Sequence, residues 1–451
     1  MTLRGWLGIL FGALMVGVAA FVWIRWERTA PRVEGPASVL IGQRGGAHFE
    51  VSDAGSGLRE IRVSVQQGDT EVVVLERSFP GSLAAGALAP ESRESVEFEI
   101  EPKALGLAHG AANLTLVARD WSWSHGFRGN ETRVAVALDI DLEPPRIQIA
   151  SGLTYVKRGG SGAVRYSLNE PANLDGVTVG DRFYFGFPLP GADASSNQRF
   201  ALFAVATDAP ADPRINVVAL DRAGNETRAG WPVVFQERAL PEASITLPQR
   251  FLETKVRELA ERAEIDATDL VRAFDEINTR VRAANETSIR QIASKPSDSK
   301  LWVGAFSQLR NSEVTSKFAE QRSYFVDGQK ISEATHFGYD LASTAGASIE
   351  ASNAGLVVFA DDLGIYGNCV IIDHGLGLFS LYAHLSSLEV APGDRVERNA
   401  RLGLSGATGL AGGDHLHFAM ILGGSYVEPL EWWDAEWVRT HVDAQLAAAP
   451  P

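Results

Sequence analysis

The sequence is short of cysteine and of positive charge. Its 451 residues contain a single cysteine, Cys369, which excludes an intramolecular disulfide and argues against a cysteine-ligated metal. Cys369 begins the apolar run Cys-Val-Ile-Ile, which predicts a small buried side chain. The formal net charge of −15 argues against nucleic acid as a partner, because nucleic-acid binding needs a basic surface.

Long uncharged runs are also scarce, and the clearest lies at the N-terminus. Trp6 to Ile24 is an uncharged stretch of 19 residues, with Arg4 before it and Arg25 after it. This length spans a bilayer as a helix, and tryptophans mark both ends. A cleaved signal peptide is the alternative, but its apolar core is usually shorter and an A-x-A cleavage site follows it. We therefore predict an uncleaved transmembrane helix within a membrane anchor at residues 1–29.

Two stretches of the middle region repeat each other. Pro31-Arg-Val and Arg44-Gly-Gly recur as Pro145-Arg-Ile and Arg158-Gly-Gly, and Gly129-Asn-Glu-Thr recurs as Gly224-Asn-Glu-Thr. Both copies contain short runs of alternating apolar and polar residues separated by Gly, Pro and Asp, which is typical of β-sandwiches. The Asp-x-Ala-Gly-Asn-like turn resembles bacterial Ig-like modules. We predict two Ig-like β-sandwiches, at residues 30–142 and 143–240, and a multidomain, mainly β chain.

The pattern becomes helical from Leu247 to about Ala293. Thr246-x-x-Gln249 is typical of a capped helix start, and Asp266 is placed to cap a second helix. Apolar residues then recur at spacings of 3 and 4, which puts them on one face of each helix. We predict a helical hairpin linker at residues 241–300.

Five residues near the C-terminus carry the chemistry. They occur in three strings: His336-Phe-Gly-Tyr-Asp340, Leu381-Tyr-Ala-His384, and Asp414-His415-Leu-His417. A catalytic zinc ion takes three protein ligands of N or O type and keeps one position for water. Two histidines and the aspartate would supply these ligands, leaving two histidines beside the water. No H-E-x-x-H motif is present, so the helical zinc-peptidase pattern is excluded. The set predicts a zinc hydrolase.

Strands are predicted around these strings. On a strand, His415 and His417 project from one face, while Leu416 and Phe418 face a core. His336 and Asp340 share a face if their segment is extended. The predicted strands are Leu356–Ala360, Asn368–Asp373, Phe379–His384 and His415–Ile421, in a mostly antiparallel domain with an open groove. The other histidines are predicted to be structural: His48, His109, His125, His374 and His441.

The strings HxxxD, YAHL and HLHF, in this order, resemble the LytM/lysostaphin-type zinc peptidases of the M23 family, which cut peptide cross-links in bacterial cell walls. The resemblance covers about residues 315–430, and we place the antiparallel β peptidase domain at residues 301–451. One departure lies upstream, where many relatives have a Phe-Gly-x-Arg string and this chain has Lys317-Phe-Ala-Glu-Gln-Arg322.

The resemblance implies a role for each of the five residues. His336, Asp340 and His417 match the zinc ligands. His415 matches the histidine that orients and deprotonates the metal-bound water, and His384 matches the donor of a hydrogen bond to the oxyanion. No ligand position is substituted, which counts against a relic site that has lost its activity.

These features predict a membrane-anchored zinc endopeptidase acting on stem or cross-link peptides of peptidoglycan. It would lie in the cytoplasmic membrane as a single-pass protein, with its bulk in the periplasm or outside the cell, and a regulatory protein partner is possible. Two alternatives stay open: a non-hydrolytic activator of a cell-wall amidase, and a zinc peptidase acting on an envelope protein. A further hypothesis is that the helical linker folds over the zinc groove and restrains activity.

Overall fold

The structure, a computed structural model, describes residues 3–87, 93–191 and 197–447. The described chain is mostly β, as predicted. It divides into two compact units: Met1–Pro144 with Leu220–Glu226, and Pro145–Ala219 with Thr227–Pro451. The finer domain boundaries given above stay predictions.

The first unit begins with an apolar helix, Leu3–Arg25. Its span Gly5–Arg25 is long and apolar enough to cross a membrane, and the most apolar 18-residue window within it is not buried inside the protein. Such a helix is suited to be a membrane anchor or a signal sequence.

Two sheets enclose the core of the first unit. The three-stranded sheet has the order Arg32–Glu34, Gly45–Ser52, Arg93–Ile100. The five-stranded sheet has the order Ser38–Ile41, Glu131–Ile140, Gly110–Asp120, Leu58–Gln67, Thr70–Ser78. A small hairpin, Gly81–Ser82 with Gly86–Ala87, and a helical turn, Ser124–Phe127, complete it. Alternating side chains of both sheets, such as Phe49, Val96 and Leu116, are fully buried in one core. The Ig-like connection pattern stays a prediction.

The second unit begins with a seven-stranded sheet. Its order is Ile147–Ile149, Ser161–Leu168, Gln198–Ala204, Arg182–Pro188, Leu174–Val179, Ile215–Leu220, Glu226–Ala229. A two-stranded parallel sheet pairs Thr154–Lys157 with Val233–Gln236.

The predicted helical hairpin follows, as helices over 249–262 and 270–292. Each contains a π-helical turn, Leu252–Val256 and Ile277–Val281. The predicted caps were wrong in detail. Asp269 caps the second helix through the backbone N–H groups of Val271 and Arg272, whereas the first helix has no side-chain cap.

Antiparallel strands dominate the C-terminal part, as predicted. The large sheet has the order Glu313–Ser316, Tyr339–Ala342, Leu416–Leu422, Leu378–Leu385, Asn368–Gly375, Gly355–Asp362, Arg395–Val396, and Ser425–Val427 pairs with Leu416–Leu422. A second sheet has the order Glu242–Thr246, Glu320–Val326, Gln329–His336, and a third the order Ser348–Glu350, Arg401–Leu404, Ser387–Leu388. The short helices are Gly364–Tyr366, Pro429–Trp433, Ala435–Trp437, Val438–Asp443 and Ala444–Ala447. Cys369 is fully buried.

Candidate metal centre and active site

Strand pairing in the large sheet brings the C-terminal strings together. Asp340 lies directly opposite His417 on the neighbouring strand, and Ala383 lies opposite His417 on its other side. His384 therefore follows beside His417, at the end of strand Leu378–Leu385. The three strings are distant in the sequence but adjacent in the sheet.

His336 reaches the same point from another sheet. It ends strand Gln329–His336, and only Phe337 and Gly338 separate it from strand Tyr339–Ala342 of the large sheet. His336 and Asp340 thus converge across a change of strand, and a single extended segment does not carry both. A β-carbon on Gly338 would lie 2.7 Å from Nε2 of His417 and 2.6 Å from the carbonyl oxygen of Phe418, so the chain needs glycine there.

Three donor atoms meet in this place. Nε2 of His336 lies 3.0 Å from Oδ1 of Asp340 and 3.0 Å from Nδ1 of His417. Nδ1 of His417 lies 2.9 Å from the same carboxylate oxygen. Ligands of a tetrahedral zinc ion stand ~3.3 Å apart, from bond lengths of about 2.0–2.1 Å. The buried side chains of this trio can therefore hold a metal ion with little adjustment.

Hydrogen bonds outside the trio set which atoms face it. Nδ1 of His336 donates to the carbonyl oxygen of Lys317 at 3.0 Å, which leaves Nε2 unprotonated and free to bind a metal. Nη2 of Arg322 donates to Oδ2 of Asp340 at 3.0 Å, so Oδ1 is the oxygen that faces the histidines. Nε of Arg322 is held in turn by Glu320 at 3.0 Å.

The two remaining histidines border the trio. Nε2 of His415 lies 3.5 Å from Oδ1 of Asp340, and its Nδ1 donates to the Gly413 carbonyl at 2.8 Å. Nδ1 of His384 donates to the Thr408 carbonyl at 2.8 Å, and its ring lies 4.8 Å from that of His415. His384 therefore keeps Nε2 as its free nitrogen, while Nε2 of His415 faces the Asp340 carboxylate. His415 just precedes its strand and is held there by a bridge to Gly406.

His384 adopts a backbone conformation that is unusual for a residue with a side chain. Its φ is 65°, in the left-handed region that glycine prefers. The register between its strand and Asn368–Gly375 shifts beside it, so a bulge accommodates this turn of the chain. Strained backbone of this kind is concentrated at functional sites.

Burial and charge act against each other in the site. Burial raises the pKa of Asp340, but His336 and hydrogen bonds from His336, His415 and His417 hold that pKa well below its usual range. Burial lowers the pKa of His417 to about 4 and that of His384 well below its usual value. The pKa of His415 is raised despite burial, because it hydrogen bonds to the Asp340 carboxylate. Asp340 is thus kept as a carboxylate, and the imidazoles of His384 and His417 are kept neutral. A carboxylate and a neutral imidazole are the forms that bind metals.

The other histidines lie outside this cluster. His374 is fully buried within strand Asn368–Gly375, where Nδ1 donates to the Ala354 carbonyl at 2.7 Å and Nε2 pairs with Ser380 Oγ. Both of its ring nitrogens are thus engaged within the fold, which agrees with the structural role that the sequence predicted. The imidazole rings of the remaining histidines also lie outside the cluster; these are His48, His109, His125 and His441.

Several residues of the site escaped the sequence interpretation. Arg322 was noted only as a departure from a family string, since nothing in the spacing links it to Asp340. Tyr366 lies 5.7 Å from the His417 ring, and its hydroxyl donates to Glu286 at 2.7 Å. Glu286 belongs to the second linker helix, so that helix is hydrogen bonded to the wall of the site.

The site opens into a cavity of about 230 Å³. The five residues above line this cavity, and the linker region contributes Leu247, Phe251, Phe274 and Arg282 to its lining. Ligand pockets usually measure about 300–1,000 Å³, so this cavity is narrow for a peptide substrate.

Comparisons with known proteins agree with this site. The profile of peptidase family M23 matches residues 334–429. The peptidoglycan DD-endopeptidase ShyA of Vibrio cholerae is 39% identical over 98 residues, which are 22% of this chain and 23% of ShyA. The DD-carboxypeptidase/endopeptidase Mpg of Neisseria meningitidis is 39% identical over 95 residues, 21% of this chain and 22% of Mpg. The match spans less than a quarter of the length of either relative.

Solved structures are also similar. The catalytic domain of lysostaphin from Staphylococcus simulans is 24% identical, with a TM-score of 0.25 and coverage of 29% of this chain and 98% of that one. A zinc-containing peptidase from Vibrio cholerae is 15% identical, with a TM-score of 0.25 and coverage of 91% and 89%. The sequence match carries the assignment: this chain contains a domain of peptidase family M23, at residues 334–429, as its histidine strings predicted.

Proposed function

We propose that this chain is a membrane-anchored zinc endopeptidase that hydrolyses stem or cross-link peptides of peptidoglycan. The observation that carries the proposal is the meeting of His336 Nε2, Asp340 Oδ1 and His417 Nδ1 within 3.0 Å, beside two further imidazoles. The names of the relatives, a peptidoglycan DD-endopeptidase and a DD-carboxypeptidase/endopeptidase, support the substrate class. The apolar N-terminal helix supports the anchor.

The trio would hold the metal through these three atoms. When bound there, zinc supplies a Lewis acid and lowers the pKa of a water molecule toward neutrality. Arg322 positions the carboxylate of Asp340, and the Lys317 carbonyl positions the ring of His336. These contacts fix the ligand atoms before a metal arrives, which limits the reorganisation that binding requires.

We assign His415 to the proton that the attacking water molecule loses, and His384 to the negative charge that develops on the substrate oxygen. His415 accepts a proton at Nε2, because its Nδ1–H is committed to the Gly413 carbonyl and Asp340 stabilises the resulting cation. His384 is anchored through the Thr408 carbonyl, which leaves its Nε2 beside the trio. It would donate to the oxygen that gains negative charge only once this Nε2 is protonated, a form that burial disfavours until the negative charge develops beside it.

Release of soluble muropeptides from purified sacculi tests this function. The full chain with zinc should release them, and His417→Ala should lose both zinc and release. His415→Ala should keep about one zinc per chain and lose release by about 10²–10⁴-fold, the usual contribution of a general base. Mass spectrometry of the products would name the bond that is cut.

The alternatives give different results. A chain that binds no zinc and releases nothing would be the activator of a separate amidase. A chain that binds zinc, leaves sacculi intact and cleaves an envelope protein would keep the chemistry and change the substrate.

A further inference from the structure

Three carboxylates from distant segments meet within the first compact unit. Glu27 follows the N-terminal helix, Asp53 lies between strands Gly45–Ser52 and Leu58–Gln67, and Asp120 ends strand Gly110–Asp120. One oxygen atom from each lies within 4.8 Å of the others. Asp120 is fully buried, Asp53 is 2% exposed and Glu27 is half-buried.

Part of this negative charge has no partner. Oδ2 of Asp53 accepts from the backbone N–H groups of Gly55 and Gly57, but its Oδ1 is buried without a hydrogen bond from any described residue. Oε1 of Glu27 is in the same state, while its Oε2 accepts from the N–H of Ser56 at 3.1 Å. Unpartnered buried carboxylate oxygens are costly, and coordination of a metal ion is one way in which a protein satisfies them.

No side-chain cation in the described chain pairs with the three carboxylates. Arg28 directly follows Glu27 and is exposed. Arg25 lies two residues before Glu27, and its guanidinium donates instead to the carbonyls of Leu83 and Trp121, at 3.1 and 2.8 Å. Burial raises the pKa of Asp53 to about 6, and the negative charges of Asp120 and Glu27 add to this rise. The cluster therefore has the charge and the free oxygens that a cation needs.

We propose that Glu27, Asp53 and Asp120 bind a calcium ion that fixes the exit of the N-terminal helix to the first β unit. The donors are all oxygens, which calcium prefers and which zinc does not. Calcium also tolerates irregular coordination, whereas magnesium demands a near-octahedral site. Asp120 is already oriented by the N–H groups of Ser122 and Asn130, at 3.0 and 2.7 Å.

Two features show that the surroundings are shaped for Glu27, one at its carboxylate and one at its backbone carbonyl. A β-carbon on Gly55 would lie 2.1 Å from Oε2 of Glu27, so a side chain at position 55 would displace it. The carbonyl oxygen of Glu27 accepts from Ser122 Oγ and Ser124 Oγ, each at 2.6 Å, and from Nδ2 of Asn130 at 3.1 Å. The protein thus holds the backbone of Glu27, and the ion would hold its side chain.

Comparing the two copies of the sequence repeat shows which contacts of Asp120 occur in both copies and which occur only in the first. Asp221 and Asn225 of the second copy form the same hydrogen-bonded pair as Asp120 and Asn130 of the first. The described residues contain no carboxylate trio around Asp221. The Asp–Asn pair therefore belongs to the repeated fold, while the addition of Glu27 and Asp53 is particular to the copy that follows the helix.

Thermal unfolding of the full chain in detergent, with zinc already bound at the metal centre, tests the proposal. Ca²⁺ at 10 mM should raise the unfolding temperature of the first unit by about 4 °C or more, for a dissociation constant of about 0.1–1 mM. Asp53→Asn should abolish this rise while leaving the calcium-free protein at least as stable, because it removes an unpaired buried charge. Asp139→Asn, an exposed residue of the same unit, should keep the full rise.

Other results would overturn the proposal. One is an unfolding temperature that does not change with Ca²⁺. The others are a full rise in the Asp53→Asn variant, or an Asp53→Asn variant that is less stable than the wild type without calcium. An equal rise with Mg²⁺ would overturn the choice of calcium. The test does not depend on hydrolysis, so its outcome is independent of the proposed peptidase function.

Discussion

At the scale of single residues, the orientation of Asp340 depends on a side chain outside the trio. Arg322 holds Oδ2 of Asp340 at 3.0 Å and is itself half-buried against Glu320. Removing this guanidinium frees the carboxylate to rotate away from His336 and His417. Arg322 is therefore a positioning residue, and its effect should appear first in metal affinity.

We expect Arg322→Met to weaken zinc binding by about 10–100-fold, the usual effect of losing a partner of a ligand. Competition with a chromophoric chelator measures this affinity, and muropeptide release at saturating zinc shows how much activity returns. Arg310→Met, at an exposed arginine, is the control and should bind zinc as the wild type does. Unchanged affinity in Arg322→Met would show that Asp340 needs no such support.

The buried carboxyl group of Glu431 should make the stability of the fold depend on pH. Burial raises its pKa to about 8, with a further contribution from Glu428, and Oε2 accepts from the N–H of Ser161 at 2.7 Å. A raised pKa means that the folded state binds the extra proton, so this stability is present below pH 4.5 and is lost as the pH rises to 8. The free energy of unfolding should fall by a few kcal/mol over this window, at ~1.4 kcal/mol for each pH unit.

Glu431→Gln should flatten this fall, because glutamine keeps an acceptor for Ser161 and does not ionise. Denaturant unfolding at several pH values, followed by tryptophan fluorescence, measures the difference. Glu436→Gln is the matched control, since Glu436 is exposed and should leave the slope unchanged. A wild-type stability that rises between about pH 5 and 8 relative to Glu431→Gln would contradict the sign.

At the scale of elements, the sequence predicted what depends on local pattern. The apolar runs around Val370 and Leu381 gave strands that the structure extends by only one or two residues. The apolar faces predicted for the two linker helices are also buried, as Val256 in the first helix and Phe274 in the second show. Two nearby aspartates could have capped the second linker helix. Asp269 is the cap, and Asp266 is not, because Asp269 directly precedes the first turn of that helix.

Pairing between distant segments could not be predicted from one sequence. Strand Glu242–Thr246 pairs in parallel with Glu320–Val326, which joins the linker region to the sheet that carries His336. The Asn278 side chain of the linker donates to Ser332 Oγ at 2.9 Å and to the Glu333 carbonyl at 3.1 Å. The linker is therefore part of the same packed body as the site, and its deletion would expose a core.

The linker wall of the cavity offers a milder test of the covering hypothesis. Phe251 lines the same cavity as the metal trio and is only half-buried. Phe251→Ala should widen the cavity and raise kcat/KM on sacculi by several-fold, because ~1 kcal/mol of obstruction corresponds to about a factor of five. Phe235→Ala, at a half-buried phenylalanine outside the cavity, should leave the rate unchanged. A rate that falls in Phe251→Ala would make this ring a part of substrate binding.

At the scale of the whole molecule, the first unit bears on whether the N-terminal helix is retained. Arg25, the last residue of the helix, is 6% exposed, and its guanidinium is bonded to carbonyls of the first unit. The next residues are held too, since three side chains bind the carbonyl of Glu27. Cleavage after the helix would cut through residues that the fold uses, and it would remove a helix of about 30 Å that matches a bilayer.

We therefore expect chain extracted from membranes to keep residues 1–29 by intact mass and to resist a carbonate wash. The double substitution Leu10→Arg with Leu14→Arg should release the chain into the wash, because each charge costs about 2.5–3.5 kcal/mol at the centre of a bilayer. Leu10→Ala with Leu14→Ala keeps the run uncharged and should stay in the membrane. A mature chain that begins after residue 25 would make this helix a signal sequence, and that chain would lack the bonds that Arg25 makes to Leu83 and Trp121.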